Sequence, residues 1–325
     1  MKISVFSLVL LLFISCKSET KDLNNTIVDQ PEISAYQLET VDLASGTILR
    51  VENFPSEFVT ERPVDVWVPD HYSEDKKFAV MYMHDGQMLF DSTTTWNKQE
   101  WKVDEWSSQL MNDGKTQDFI IVAMHNISEI RHSDYFPNKP FQSLESKDSI
   151  YEASRRGSNP LFKEPINSDN YLKFIVKEVK PYIDANYSVY SDREHTFIGG
   201  SSMGGLISMY ALCEYPEIFS GAACISTHWP GVMPSPNNPI PDAFFSYLSE
   251  NAPDPEYHKF YFDFGTETLD AYYVEFEDEV TALFEKLGYD ESNFRNLKFE
   301  GTDHSENSWN QRLDVPFTFL MGSNN

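Results

Sequence analysis

The sequence predicts an α/β protein with a mostly parallel central sheet covered by helices on both faces. Three observations predict it. The runs FAVMYM (78–83) and FIIVAM (119–124) are apolar without alternation, as strands buried on both faces require. Strand-like runs alternate with helical periodicities, which implies parallel strands joined by helical crossovers. At 199–206 a glycine-rich turn joins a strand pattern to a helix pattern.

The elements follow in order. Lys2 precedes an apolar run at 3–14 that is broken only by Ser4 and Ser7. The run is too short to cross a bilayer and fits a secretory signal. Cys16 directly after Ser15 resembles a bacterial lipoprotein cleavage site. A signal peptide is therefore expected at 1–15, with lipidation at Cys16. The expected product is exported and membrane-anchored, periplasmic or at the cell surface. Residues 16–40 are polar and read as a flexible tether, and 41–325 as one catalytic domain. Within it, VDVWV (64–68) alternates like a strand. Residues 171–183 have helical periodicity, 196–199 read as a strand and 205–215 as a helix. Residues 222–225, 260–264 and 297–300 read as strands, with an amphipathic helix at 271–287. Two long irregular stretches, 127–168 and 227–256, suit loops over a site.

Composition narrows the function. The chain is 41% hydrophobic and 14% aromatic, enough for a sizeable core, and its 25 basic against 51 acidic residues give a net charge of −26. That field disfavours nucleic acids and anionic membrane surfaces, so the lipid at Cys16 is the membrane contact expected. Cys213 and Cys224 lie in apolar runs and read as buried free thiols. There is no CxxC or zinc-like spacing, so no metal site is expected.

The chemistry centres on Gly200-Ser201-Ser202-Met203-Gly204, a G-x-S-x-G between a strand and a helix. That context presents Ser202 as a nucleophile on a sharp turn. A serine hydroxyl needs a base. His304 follows the last strand, where a triad histidine belongs. The acid belongs after the strand at 260–264, where Asp270 and Glu267 both qualify, Asp270 first. The oxyanion needs two amide donors. Met203 follows the nucleophile, and Gln87 follows Gly86 in the turn His84-Asp85-Gly86-Gln87. His84, Trp309 and Arg131 are the candidate substrate contacts.

These motifs resemble the esterase family of α/β-hydrolases that includes esterase D, enterochelin esterases, feruloyl and acetylxylan esterases, and mycolyltransferases. The resemblance rests on MYMHDGQMLFD (81–91), residues 171–187, GGSSMGGL (199–206), YPEIFSGAACIS (215–226) and GTDHSENSW (301–309). It covers roughly residues 45–320. It implies an α/β-hydrolase fold, a Ser-His-acid triad, no cofactor, and an ester substrate carrying acetyl or feruloyl-type groups on carbohydrate. Several relatives carry the acid three residues after the strand's glycine, a place that Thr268 holds here. The alternatives are an acyltransferase with the same triad, an enterochelin-type siderophore esterase, and a non-catalytic glycan-binding lipoprotein.

Overall fold

The structure, a computed structural model, describes residues 33–145, 147–155 and 159–323. The proposed signal peptide and Cys16 lie outside them. Strands β1 (Tyr36–Gln37), β2 (Thr47–Phe54), β3 (Arg62–Val68), β4 (Ala79–Met83), β5 (Phe119–Met124), β6 (Thr196–Ser201), β7 (Gly221–Ile225), β8 (Lys259–Gly265) and β9 (Phe294–Phe299) form one sheet. Their order is β1-β2-β3-β5-β4-β6-β7-β8-β9. The ladders from β5 to β9 are parallel, and the first three strands add an antiparallel edge.

Central strands are apolar throughout because both faces are covered. In β4, Val80 and Tyr82 pack into the core on one side, and Ala79, Met81 and Met83 into the core on the other. β5 divides its side chains in the same way, with Ile120, Val122 and Met124 opposite Phe119, Ile121 and Ala123. The expected α/β-hydrolase architecture is thus the one observed. Cys213 and Cys224 are free and buried.

Four expectations change. The sheet starts before residue 41, because Tyr36–Gln37 pairs with β2 although both residues are exposed. The stretch 227–256 is not all loop: it holds helix Ile240–Asn251, which buries Ile240, Phe244, Tyr247 and Leu248 at helical spacing. The stretch 127–168 contains short helices, among them Arg131–Tyr135 and Asn138–Ser143. The helix expected at 271–287 begins as two 3-10 turns, Asp270–Tyr272 and Val274–Phe276, and becomes α-helical over Glu277–Lys286. Among the described residues no helix is long and apolar enough to cross a membrane.

Candidate active site

Ser202, Asp270, His304 and Gln87 each lie past the carboxyl end of a parallel strand, where open α/β sheets bind ligands. β6 is buried along its length and ends in a turn that starts helix α1 (Met203–Glu214). Ser202 occupies that turn with φ 59° and ψ −119°, a conformation that ordinarily needs glycine. The elbow is tight. A Cβ on Gly200 would come within 3.1 Å of both Gly204 and His84. The Ser202 amide donates to the Ile225 carbonyl at 2.9 Å, which ties the turn to the end of β7. Met203 opens α1, so its amide has no partner within the helix and stays available at a positive helix end.

β8 leads through Gly265 to Asp270, whose side chain is fully buried. Asp270 Oδ1 lies 2.5 Å from His304 Nδ1. Its Oδ2 accepts from the Ser226 hydroxyl and the Gly265 amide, both at 2.6 Å. A buried carboxylate requires such partners. Glu267 is exposed and lines a polar groove of about 540 Å³ with Thr268, Thr302 and Asp303. Of the two carboxylates weighed, Asp270 is therefore the one that meets His304. The histidine is further fixed by its backbone amide, which donates to Thr268 Oγ1 at 2.9 Å, and by Trp309, edge-on at 5.0 Å between ring centroids.

Several residues around this pair were not singled out in the sequence. Arg312 forks onto Asp263, with Nε to Oδ2 at 3.1 Å and one terminal nitrogen to Oδ1 at 3.0 Å, and that terminal nitrogen also donates to Ser226 Oγ at 3.0 Å. Burial opposes the Arg312 charge, but Asp263 outweighs it and raises the guanidinium pKa. Tyr273 packs against His304 at 5.9 Å between centroids, and its phenol meets His228 Nδ1 at 2.7 Å.

The turn after β4 presents Gln87. Gly86 permits it, since a Cβ there would come within 2.8 Å of the Ala123 backbone and the His125 ring. Residues Gly86–Met88 form a 3-10 turn whose first amides have no partner inside it. Asp85, at φ 60°, is clamped: Arg131 donates to both carboxylate oxygens at 2.7 Å, and Asn126 Nδ2 to Oδ1 at 2.7 Å. Burial raises the Asp85 pKa, but Arg131 overrides it and the net shift is downward.

Three expected substrate contacts are engaged elsewhere. His84 is fully buried, with Nδ1 2.9 Å from the Tyr171 hydroxyl, so it does not line a pocket. Trp309 is buried, and its indole N–H donates to Ser226 Oγ at 2.9 Å, so it props the site rather than facing a ligand. Arg131 is spent on Asp85 and lies over the Tyr135 ring at 5.0 Å. A separate cavity of about 260 Å³ adjoins the Gln87 turn, and Ile48, Phe90, Arg50, Asp65 and His125 are among its lining residues.

Comparisons with known proteins agree with this architecture. Residues 56–320 match the family model described as "Putative esterase". The chain is 25% identical over 170 residues to the uncharacterized protein YbbA of Bacillus subtilis, covering 52% of this chain but only 58% of that relative's length. Among solved structures it is similar to a ferulic acid esterase from the anaerobic fungus Anaeromyces mucronatus (TM-score 0.55, 18% identity, 90% of this chain and 94% of that one). It is also similar to the enterobactin esterase of Shigella flexneri (TM-score 0.58, 15% identity, 89% of this chain and 60% of that one). At such identities these structures speak for the fold, while the family match spans most of the chain. With its sheet, its serine elbow and this match together, the chain belongs to the esterase family.

Proposed function

We propose that the protein is a serine carboxylic-ester hydrolase in which Ser202 is the nucleophile, His304 the general base and Asp270 the acid that orients it. The observation that supports this most is the 2.5 Å contact between buried Asp270 and His304, at the same carboxyl end of the sheet as a serine on a strained elbow. Asp270 holds Nδ1 protonated, which leaves Nε2 to take the serine proton. Ser202 Oγ then bonds to the acyl carbon, and the Met203 and Gln87 amides receive the oxyanion. His304 returns the proton to the alcohol oxygen as its bond to the acyl carbon breaks. Water, deprotonated by the same imidazole, releases the acid and restores the serine.

The substrate class follows more loosely. The similar structures are named for ferulic acid and enterobactin, and the cavity beside Gln87 mixes apolar Ile48 and Phe90 with polar Arg50 and His125. That lining suits a neutral ring bearing hydroxyl groups. An acetyl or feruloyl-type ester of a carbohydrate fits it, and a net charge of −26 disfavours an anionic glycan. We also propose export and lipid anchoring at Cys16.

The test is hydrolysis of p-nitrophenyl acetate by wild type and Ser202→Ala, followed by acetylated and feruloylated oligosaccharides beside a catecholate siderophore ester. Equal rates for wild type and Ser202→Ala would exclude the serine mechanism. For the anchor, Cys16→Ser should move the protein from the membrane to the soluble fraction. Unchanged partition would remove Cys16 from the account.

A further inference from the structure

We propose that the polar groove beside the His304 loop, with Trp96 at its rim, binds a neutral oligosaccharide, the alcohol half of the ester. The assignment to the alcohol half rests on the serine-hydrolase reading. The groove holds about 540 Å³. Asp303 and Ser305, the chain neighbours of His304, line it. So does Thr268, whose hydroxyl oxygen accepts from the His304 amide. In acyl transfer the oxyanion faces the amide donors, and the leaving oxygen faces the imidazole that protonates it. The alcohol therefore extends on the His304 side, whereas the cavity beside Gln87 adjoins the oxyanion side.

The lining has the chemistry of polyol recognition. Its residues are all polar or glycine, among them the carboxamides of Gln99, Asn307 and Gln311 and the carboxylates of Glu267 and Asp303. Carboxamides donate to and accept from sugar hydroxyls, and carboxylates accept. Asp303 Oδ1 takes the hydroxyls of Ser305 and Ser308, each at 2.5 Å, and these bonds lower its pKa and keep it an acceptor. Two carboxylates in one groove disfavour an anionic sugar. Trp96 supplies the stacking face. It is 84% exposed, more than any other large apolar side chain among the described residues. Its loop is nonetheless fastened on both sides. Before it, Thr95 is buried, and its hydroxyl donates to the Ser92 carbonyl at 3.1 Å. After it, Asn97 Nδ2 donates to Glu306 at 2.8 Å, and Gln99 Oε1 accepts from the Asn307 amide at 3.3 Å. Gln99 and Asn307 both line the groove, so these bonds join the Trp96 loop to its wall. A single indole beside a polar groove lacks the apolar core of a protein interface. It suits a sugar ring, which offers C–H bonds on its face and hydroxyls at its edge.

The probes are xylohexaose, cellohexaose and mannohexaose, with hexagalacturonate as the charged control, titrated calorimetrically into the full-length Ser202→Ala protein. None carries an ester, so binding is read apart from hydrolysis. At least one neutral hexaose should bind with a Kd below about 1 mM. In the same background Trp96→Ala should weaken it by about 10-fold, and Trp96→Phe, which keeps an aromatic face, by less than about threefold. Gln311→Ala should weaken it by about threefold, the size of one neutral hydrogen bond. Trp96 and Gln311 are both exposed, and equal urea midpoints confirm that each variant is folded. Bound sugar should also shield Trp96 from acrylamide quenching, because the other tryptophans are buried or half-buried. No neutral hexaose bound, or one bound equally well by Trp96→Ala, overturns the proposal. Hexagalacturonate binding as tightly as the best neutral probe does so too. Self-association that Trp96→Ala abolishes, followed by sedimentation, would give the indole to a second copy and overturn it as well. Hydrolysis persisting in Ser202→Ala would overturn the serine mechanism but not the sugar site, which the Trp96→Ala affinity decides on its own.

Discussion

Asp270 and His304 are 34 residues apart in the chain and 2.5 Å apart in the fold. The carboxylate is wholly buried, whereas the imidazole keeps 15% of its side chain exposed. An acid so placed fixes the tautomer and supports the imidazolium as it forms. Asp270→Asn should keep the fold and lower kcat on p-nitrophenyl acetate by about 10³- to 10⁴-fold. Glu267→Gln, on the exposed groove, should leave the rate near wild type. A collapse in Glu267→Gln with activity preserved in Asp270→Asn would exchange the two roles.

The elbow conformation predicts a conflict between stability and activity. At φ 59° and ψ −119°, Ser202 bears backbone strain that glycine would not. Strain of this kind is worth about 1–3 kcal/mol, partly offset by the greater chain entropy glycine loses on folding. Ser202→Gly should therefore raise the unfolding free energy by about 1 kcal/mol while abolishing hydrolysis. Ser202→Ala should abolish hydrolysis without that gain. Urea denaturation of all three proteins measures it, and a Ser202→Gly midpoint at or below that of Ser202→Ala would contradict stored strain at the elbow.

What the sequence makes legible here is whatever is local. Ser202, Met203 and Gln87 sit in short motifs between a strand and a turn or helix, so their neighbours define them. Asp270 and Glu267 share one loop, and only a contact 34 residues away tells them apart. The Tyr273–His228 and Arg312–Asp263 pairs bridge 45 and 49 residues and leave no local mark. His228 carries one signal: it lies three residues past the end of β7, a central parallel strand. Helix Ile240–Asn251 falls in a stretch expected to be irregular, although its apolar spacing and the proline in its first turn mark it. Strand β2 was harder, since its register shifts between Val51 and Phe54 and breaks the alternation. His84 and Trp309 lie beside motifs in the sequence, but burial is a tertiary property, and both side chains are buried, one on Tyr171 and the other on Ser226.

The Arg131–Asp85 fork predicts how the turn that carries Gln87, the proposed oxyanion donor, depends on charge. Arg131 meets both oxygens of a carboxylate that would otherwise be buried and unpaired. Removing one partner of such a pair costs about 3–5 kcal/mol. Arg131→Ala should destabilise the protein by about 3 kcal/mol, the lower end, because the Arg131 side chain is 22% exposed. Since Asp85 precedes Gly86 and Gln87, the turn loosens, and kcat should fall more than KM rises. Arg131→Lys keeps the charge without the fork and should recover only part of both losses. Urea midpoints beside steady-state kinetics read the two effects. Arg131→Ala with wild-type kcat would detach the fork from the oxyanion turn.

Two buried histidines withdraw stability as pH falls. Burial pushes the His84 pKa down from 6.5 to about 3; nearby Asp85 resists this and Arg131 adds to it. The Nε2 of His84 has no hydrogen-bond partner among the described residues, so a protonated ring would be unsupported. Between these two values the unfolded chain binds a proton that the folded chain refuses. Stability from this group is complete above pH 6.5 and drains away as pH falls toward 3. The slope is about 1.4 kcal/mol per pH unit for each such histidine. His228, also pushed downward by burial, adds to the same window. Depressed carboxylates such as Asp85 act lower, as pH falls below about 4. His84→Asn can keep an amide facing Tyr171 but cannot titrate. Its unfolding free energy, followed between about pH 4.5 and 6.5, should fall less steeply than wild type by close to one proton's worth. Its absolute stability will be lower, because a smaller side chain leaves space in the core, so the slope is the quantity to compare. Identical slopes would mean that His84 is protonated in the folded protein, against its burial and its unpartnered nitrogen.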